Sequence, residues 1–111
     1  MKKELFKNEI TILRDTFRRL LRRHAETNIL KLIDKTHPAD LALLFRYFNE
    51  NEQDEIFSKL KPSEKTAEFL NDLDELIGIR LLENESHDRI ASILEHASSN
   101  EQAYLLSLIH I

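Results

Sequence analysis

The chain contains no cysteine, no tryptophan and no valine, and it has one glycine and two prolines among 111 residues. Without cysteine there are no disulfides and no thiolate metal sites, and a reducing cytoplasm is compatible with the composition. Without valine, and with almost no glycine for tight turns, a sheet is hard to build, because strands lean on β-branched and aromatic residues. No apolar run approaches the roughly 20 residues needed to cross a bilayer. The charged N-terminus is not followed by the apolar core of a signal peptide. Glycine-rich phosphate loops and an HExxH pair are absent too. The expectation is one soluble all-α domain over residues 1–111, large enough for a single modest core.

What the chain does have is leucine, isoleucine and charge. The net charge of −4 hides an asymmetry: residues 1–35 carry ten Lys/Arg against five Asp/Glu, and residues 36–111 carry six against fifteen. A basic head and an acidic body disfavour nucleic acid over most of the surface. They suit cation binding, or a basic partner, on the body.

In "ELFKNEITILRDTFRRLLRR" the residues Phe6, Ile10, Leu13, Phe17, Leu20 and Leu21 recur at three- and four-residue steps. That spacing is one apolar stripe on a long basic amphipathic helix over 1–24, with a break near His24–Thr27. A short apolar stretch follows at Ile29, Leu32 and Ile33. From residue 26 to 111 the pattern changes to short helices.

"KTHPADLALLF" opens that series. Pro38 suits a first helical turn, where its missing N–H costs nothing, and His37 or Thr36 can cap it. Asp40 sits in the first turn, where a carboxylate meets the positive helix end. Leu41, Leu44, Phe45 and Phe48 form its predicted buried face. The same grammar predicts Asn51 as a cap with Asp54 three residues on, Pro62 in a first turn, and a capping box of Ser98 and Glu101. Gly78 interrupts an apolar stretch, as a close-packing point or as a break.

The bursts close at Phe45, Phe57, Leu70, Leu82, Leu94 and Leu106, a period near 12 residues. Isolated helices shorter than about 12–15 residues are marginal in water, so such units must stack on one another. The expected architecture is a solenoid-like stack of short helices.

"HPADLALLF", "KPSEKTAEFLNDL" and "DRIASILEHASSNEQAYLL", in that order and at these spacings, resemble the intracellular N domain of the MgtE family of magnesium transporters. The resemblance runs from about Phe17 to Ile109. It implies a right-handed superhelix and a regulatory role without catalysis. In that family an acidic face of the N domain shares Mg²⁺ with CBS domains, and the shared ion gates a membrane pore. By position, Glu68 matches a family carboxylate, and Asn100, Glu101 and Tyr104 match the acidic opening of the last family helix. Tyr104 departs from that pattern. The implied metal ligands are Glu68, Glu101 and Asn100, with Mg²⁺ held weakly until a partner domain supplies the rest.

The implied partners are the CBS and membrane domains of a full-length transporter, with a possible homodimer through those parts. The implied location is the cytoplasmic side of an inner membrane. The motor-switch superhelix of flagella shares this architecture, which leaves a protein-interaction scaffold with no ion role as the alternative.

Without the resemblance, Glu68 is a charge on a solvated face and Glu101 a capping residue. The five histidines have no metal-ligand spacing. "SHD" at 86–88 places three triad-type residues side by side, whereas triad members converge in space from separate elements. The "FRRLLRRH" cluster can meet anionic lipid, or it is a solvated basic face or one that pairs with the acidic body, and the latter readings need less.

Overall fold

Each short helix after residue 36 begins at a side chain that accepts a hydrogen bond from its own first turn. In the computed structural model, which describes residues 2–109 and side chains from Lys7 onward, these caps are His37, Asn49, Ser63, Asp74, Ser86 and Ser98. Their spacing stays close to the 12-residue period of the sequence. The helices are α1 (Lys2–Arg22), α2 (Glu26–Lys35), α3 (Pro38–Phe45), α4 (Glu50–Ser58), α5 (Glu64–Asp72), α6 (Glu75–Glu83), α7 (His87–Glu95) and α8 (Ser99–Leu108), with no strand among the described residues. The protein is all-α. Phe6 and His110 fall outside the described side chains.

The caps correct the sequence reading twice. Asn51 does not cap α4. Asn49 does, accepting from Glu52 N at 2.8 Å while Glu52 Oε1 accepts from Asn49 N at 2.9 Å. A glutamate at the third helical position is long enough to reach back to the cap N–H, which favours this register. Pro62 lies before α5 rather than in its first turn, because Ser63 supplies the hydroxyl that Thr66 N needs, at 3.2 Å. Elsewhere the reading holds. His37 Nδ1 accepts from Ala39 N at 3.1 Å, and Ser98 and Glu101 form the expected box.

The break after α1 is a left-handed turn. His24 has φ 54°, and Ala25 N donates to Leu20 O while His24 N donates to Leu21 O, both at 3.1 Å. These bonds satisfy carbonyls that the end of a helix leaves open.

Packing follows alternation in the chain. α3 packs against α1 and α5, α5 against α7 and α8, and α6 against α8, while α1 also covers α2. Five phenylalanines run through the centre. Phe17 meets Phe48 edge-on at 5.9 Å, Phe48 meets Phe45 at 5.8 Å, Phe45 meets Phe69 at 4.8 Å, and Phe69 lies 6.4 Å from Phe57. Such aromatic pairs are each worth about 0.5–1.5 kcal/mol beyond simple burial. The long basic helix is thereby fastened to the short-helix body. The molecule measures 38 × 34 × 21 Å, a flattened body rather than a rod.

Most of the predicted core is buried: Phe45, Phe57, Leu70 and Leu82 close their helices inside. The series fails at its end. Leu106 is 55% exposed, and Leu105 and Leu108 are buried instead. α8 packs on α5 and α6, so the positions one residue before and two after Leu106 face the core. Gly78 is buried within an unbroken α6, and a methyl group there would only touch Leu108 Cδ1 at 3.4 Å. It marks neither a break nor a position that only glycine can fill.

Candidate functional site

The outer side of α5 carries Glu64, Glu68 and Asp72 at four-residue steps, one above the other on the helix. Thr66, Ala67, Phe69 and Leu70 occupy the opposite side and are buried. All three carboxylates are exposed, and none makes an ion pair or side-chain hydrogen bond among the described residues. Like charges at this spacing repel by a few tenths of a kcal/mol per pair. The stripe is thus an uncompensated anionic line with Glu68 at its centre.

α8 is a neighbour of α5 and carries the other two candidates in its first turn. Asn100 is exposed. Glu101 is half-buried, with Oε1 committed to Ser98 N. Its other oxygen has no partner among the described residues. Tyr104, one turn on, has its hydroxyl held above the ordinary tyrosine range by burial first, then by the charges of Glu75 and Asp74. α6 packs against α8, and the charges of Asp74 and Glu75 at its start add to the negative charge at this end of the body. Asp74 is partly spent, since its Oδ1 caps α6 at Leu76 N and Ile77 N and its Oδ2 lies 3.9 Å from Arg46.

Among the described residues no three His, Asp or Glu side chains gather as a ready metal site. Glu68 and Glu101 therefore offer oxygen donors on adjacent helices rather than a closed cage. This donor chemistry fits Mg²⁺, which keeps several waters and takes one or two carboxylates.

Other charged groups are already engaged in structure. Arg18 donates to Glu52 through Nε at 2.6 Å and Nη2 at 2.8 Å, a forked pair joining α1 to α4. The Arg18 guanidinium holds the Glu52 carboxyl below its ordinary range, chiefly through the hydrogen bond and against the effect of burial, with the Asn49 N–H adding to it. The basic cluster thus pairs with the acidic body at Arg18, while Arg19, Arg22 and Arg23 stay exposed. Asp54, expected only as a first-turn charge, accepts from Arg80 at 2.8 Å, and the same arginine donates to Gln53 Oε1 at 2.6 Å. Ser86 caps α7, with His87 and Asp88 exposed in its first turn, so "SHD" is a helix start.

Sequence reasoning missed Arg80, Arg89 and the Arg18–Glu52 pair. Their partners lie 26 to 34 residues away, a distance at which no spacing rule operates. No helix is long and apolar enough to cross a membrane among the described residues.

The architecture defines an all-α module whose helices from α3 to α8 are short and individually capped, with an acidic stripe along the outer side of α5. Residues 36–110 match the family described as the MgtE intracellular N domain, and the chain belongs to that family. The match covers α3 through α8, whereas α1 and α2 precede it; the resemblance read from the sequence began earlier, at Phe17. Comparisons with curated proteins and with solved structures return no match.

Proposed function

We propose that the chain is a non-enzymatic, intracellular regulatory domain of a magnesium transporter. Its acidic side binds Mg²⁺ jointly with a CBS-type partner, and the ion's presence or absence sets the arrangement that gates the pore. Family membership supports the transporter context. The observation that carries the ion role is the unpaired Glu64–Glu68–Asp72 stripe on α5; Asn100 and Glu101 lie on α8, a helix that packs against α5.

The physics is a two-state equilibrium. Two anionic surfaces repel when bare and share a hydrated divalent ion when it is present. Mg²⁺ then shifts the population only by its preference for the joined state. Glu68 supplies a direct or water-bridged carboxylate, and Glu101 contributes its second oxygen while the first keeps the cap. Asn100 contributes a side-chain carbonyl. With only part of the shell present, the isolated chain binds Mg²⁺ weakly, at millimolar concentrations.

A backbone-amide NMR titration with MgCl₂, against KCl at matched ionic strength, tests this reading. Mg²⁺-dependent shifts should centre on Glu68 and on the first turn of α8, and Glu68→Gln should reduce them. Uniform small shifts over all acidic residues, unchanged in Glu68→Gln, would reject a specific ion role. A second reading, an interaction scaffold without an ion, draws on the apolar cleft between α2, α3 and α5.

A further inference from the structure

Between α2, α3 and α5 the surface opens into a cleft of about 600 Å³. Its walls are Leu30 and Ile33 from α2, Leu41 from α3, Leu60 from the α4–α5 link and Phe69 from α5. Leu30 is left 40% exposed at the edge. Two threonines also line the cleft, but each hydroxyl is already spent on a backbone carbonyl, Thr36 on Leu32 O and Thr66 on Lys61 O. The interior therefore has little to offer a polar ligand. It suits apolar side chains.

The rim has the opposite sign to the rest of the body. Residues 36–111 contain three lysines, Lys59, Lys61 and Lys65, and all three line this cleft, joined by Lys31 from α2. Lys31 and Lys61 make no ion pair among the described residues. Lys65 reaches a weak partner, whereas the Lys59 side chain is only 15% exposed and has two carboxylates near it, Glu26 and, at 4.0 Å, Glu55. Lys59 Nζ lies 2.7 Å from Glu26 Oε2, and Lys65 Nζ lies 3.3 Å from Asp34 O and 3.9 Å from its carboxylate. Glu26 and Asp34 are largely exposed, at 58% and 85%. The Lys65–Asp34 pair, exposed on both sides, contributes little and exchanges readily for a better carboxylate. Glu64, also at the rim, is the remaining acidic residue there.

We propose that this cleft docks an amphipathic helix of a partner protein, one that presents leucine-class side chains along a single stripe and aspartate or glutamate on its flanks. The cleft is banked by two helices and floored by a third, the geometry in which a fourth helix inserts anchors at i, i+3 or i+4, and i+7. The anchors fill the apolar interior. The flanking carboxylates meet Lys31 and Lys61 and displace Asp34 from Lys65. On a chain of net charge −4, this rim is where an acidic helix meets cations rather than repulsion. The inference does not depend on Mg²⁺ binding at Glu68, and either reading can fail alone.

Two synthetic helical peptides of about five turns, sharing one leucine stripe and flanked by glutamate in one and lysine in the other, provide the test. The glutamate-flanked peptide should bind the 111-residue chain by calorimetry and shift the amides of Leu30, Lys61 and Lys65. Binding should weaken with added salt. It should fall about fivefold in a Lys31→Glu/Lys61→Glu double variant, and Leu30→Ser should also weaken it. These positions are exposed, so helical circular dichroism should be unchanged in the variants. Four results would overturn the proposal: equal binding of the lysine-flanked peptide, no binding of either, shifts gathered on α6–α8, or blockage of the cleft by self-association of the chain. Phosphatidylserine vesicles shifting the same amides while the peptide does not would assign the lysines to a membrane instead.

Discussion

Arg89 on α7 lies over the ring of Phe57 on α4, its guanidinium carbon 4.4 Å from the ring centroid, and donates from Nη2 to the carbonyls of Phe57 and Leu60, both at 2.6 Å. Glu85, one turn earlier, holds the same guanidinium through Nη1 at 2.9 Å. The end of α4 is thereby closed by a cation from another helix, where the negative helix end welcomes one. The side chain is 18% exposed, so its bonds are shielded from water.

Arg89→Ala should therefore destabilise the fold by about 2–3 kcal/mol, since it uncaps two carbonyls and removes a cation from an aromatic face. Arg89→Lys should recover only part of this, because an ammonium lacks the planar fork. Urea unfolding followed by circular dichroism measures both. Equal stability of the wild type and Arg89→Ala would refute the role.

The Arg18–Glu52 pair should make stability depend on acid pH. The Glu52 pKa is lowered in the folded state, principally by the Arg18 hydrogen bond. Its contribution is then complete above the unfolded carboxyl pKa and is lost as pH falls through the lower folded value. Glu52→Gln keeps a capping-box side chain but removes the charge. Its destabilisation, about 1 kcal/mol at pH 7 for a half-shielded charged bond, should shrink as the pH falls below the ordinary carboxyl range. A constant difference across that range would contradict the assignment.

Gln53 is buried, and its Nε2 donates to Phe45 O at 2.8 Å and Phe48 O at 3.2 Å, tying the end of α3 to the start of α4. Gln53→Glu at neutral pH loses both donations and sets a carboxylate against two carbonyls. Arg80, which donates to Oε1, offsets some of that cost. The expected net loss is about 2 kcal/mol, read from the urea midpoint. A neutral or stabilising Gln53→Glu would mean that the arginine dominates this site.

Gly78→Ala should raise stability by up to about 1 kcal/mol, because the residue is helical and the added methyl meets Leu108 at ordinary contact distance. The thermal midpoint would rise by several degrees for a domain of this size. A fall would show that Leu108 cannot adjust.

The capping signals were legible because a cap is local. Ser98 and Glu101, and His37 before Pro38, lie within one turn of the amides they serve. Asn51 reads as a cap because Asp54 follows three residues later, but Asn49 has Glu52 at the same spacing, and only glutamate is long enough to reach back to the cap N–H. Leu106 was misread because a period of 12 names positions along the chain, whereas exposure in α8 depends on which neighbours it has. Glu68 was readable as an exposed carboxylate. That it stands between Glu64 and Asp72 without a cation could be known only once the lysines and arginines had been placed.

By itself, the sequence determined that the chain is helical, where α3 and α8 begin and which phenylalanines and most of the leucines enter the core, since propensity, capping and amphipathic period act within a few residues. The tertiary structure decided the rest: which arginine answers which carboxylate, the phenylalanine line from α1 to α5, and the gathering of four lysines around one apolar cleft. Those relations join residues dozens of positions apart, and they exist only after the helices have stacked and fixed the neighbours of every charge.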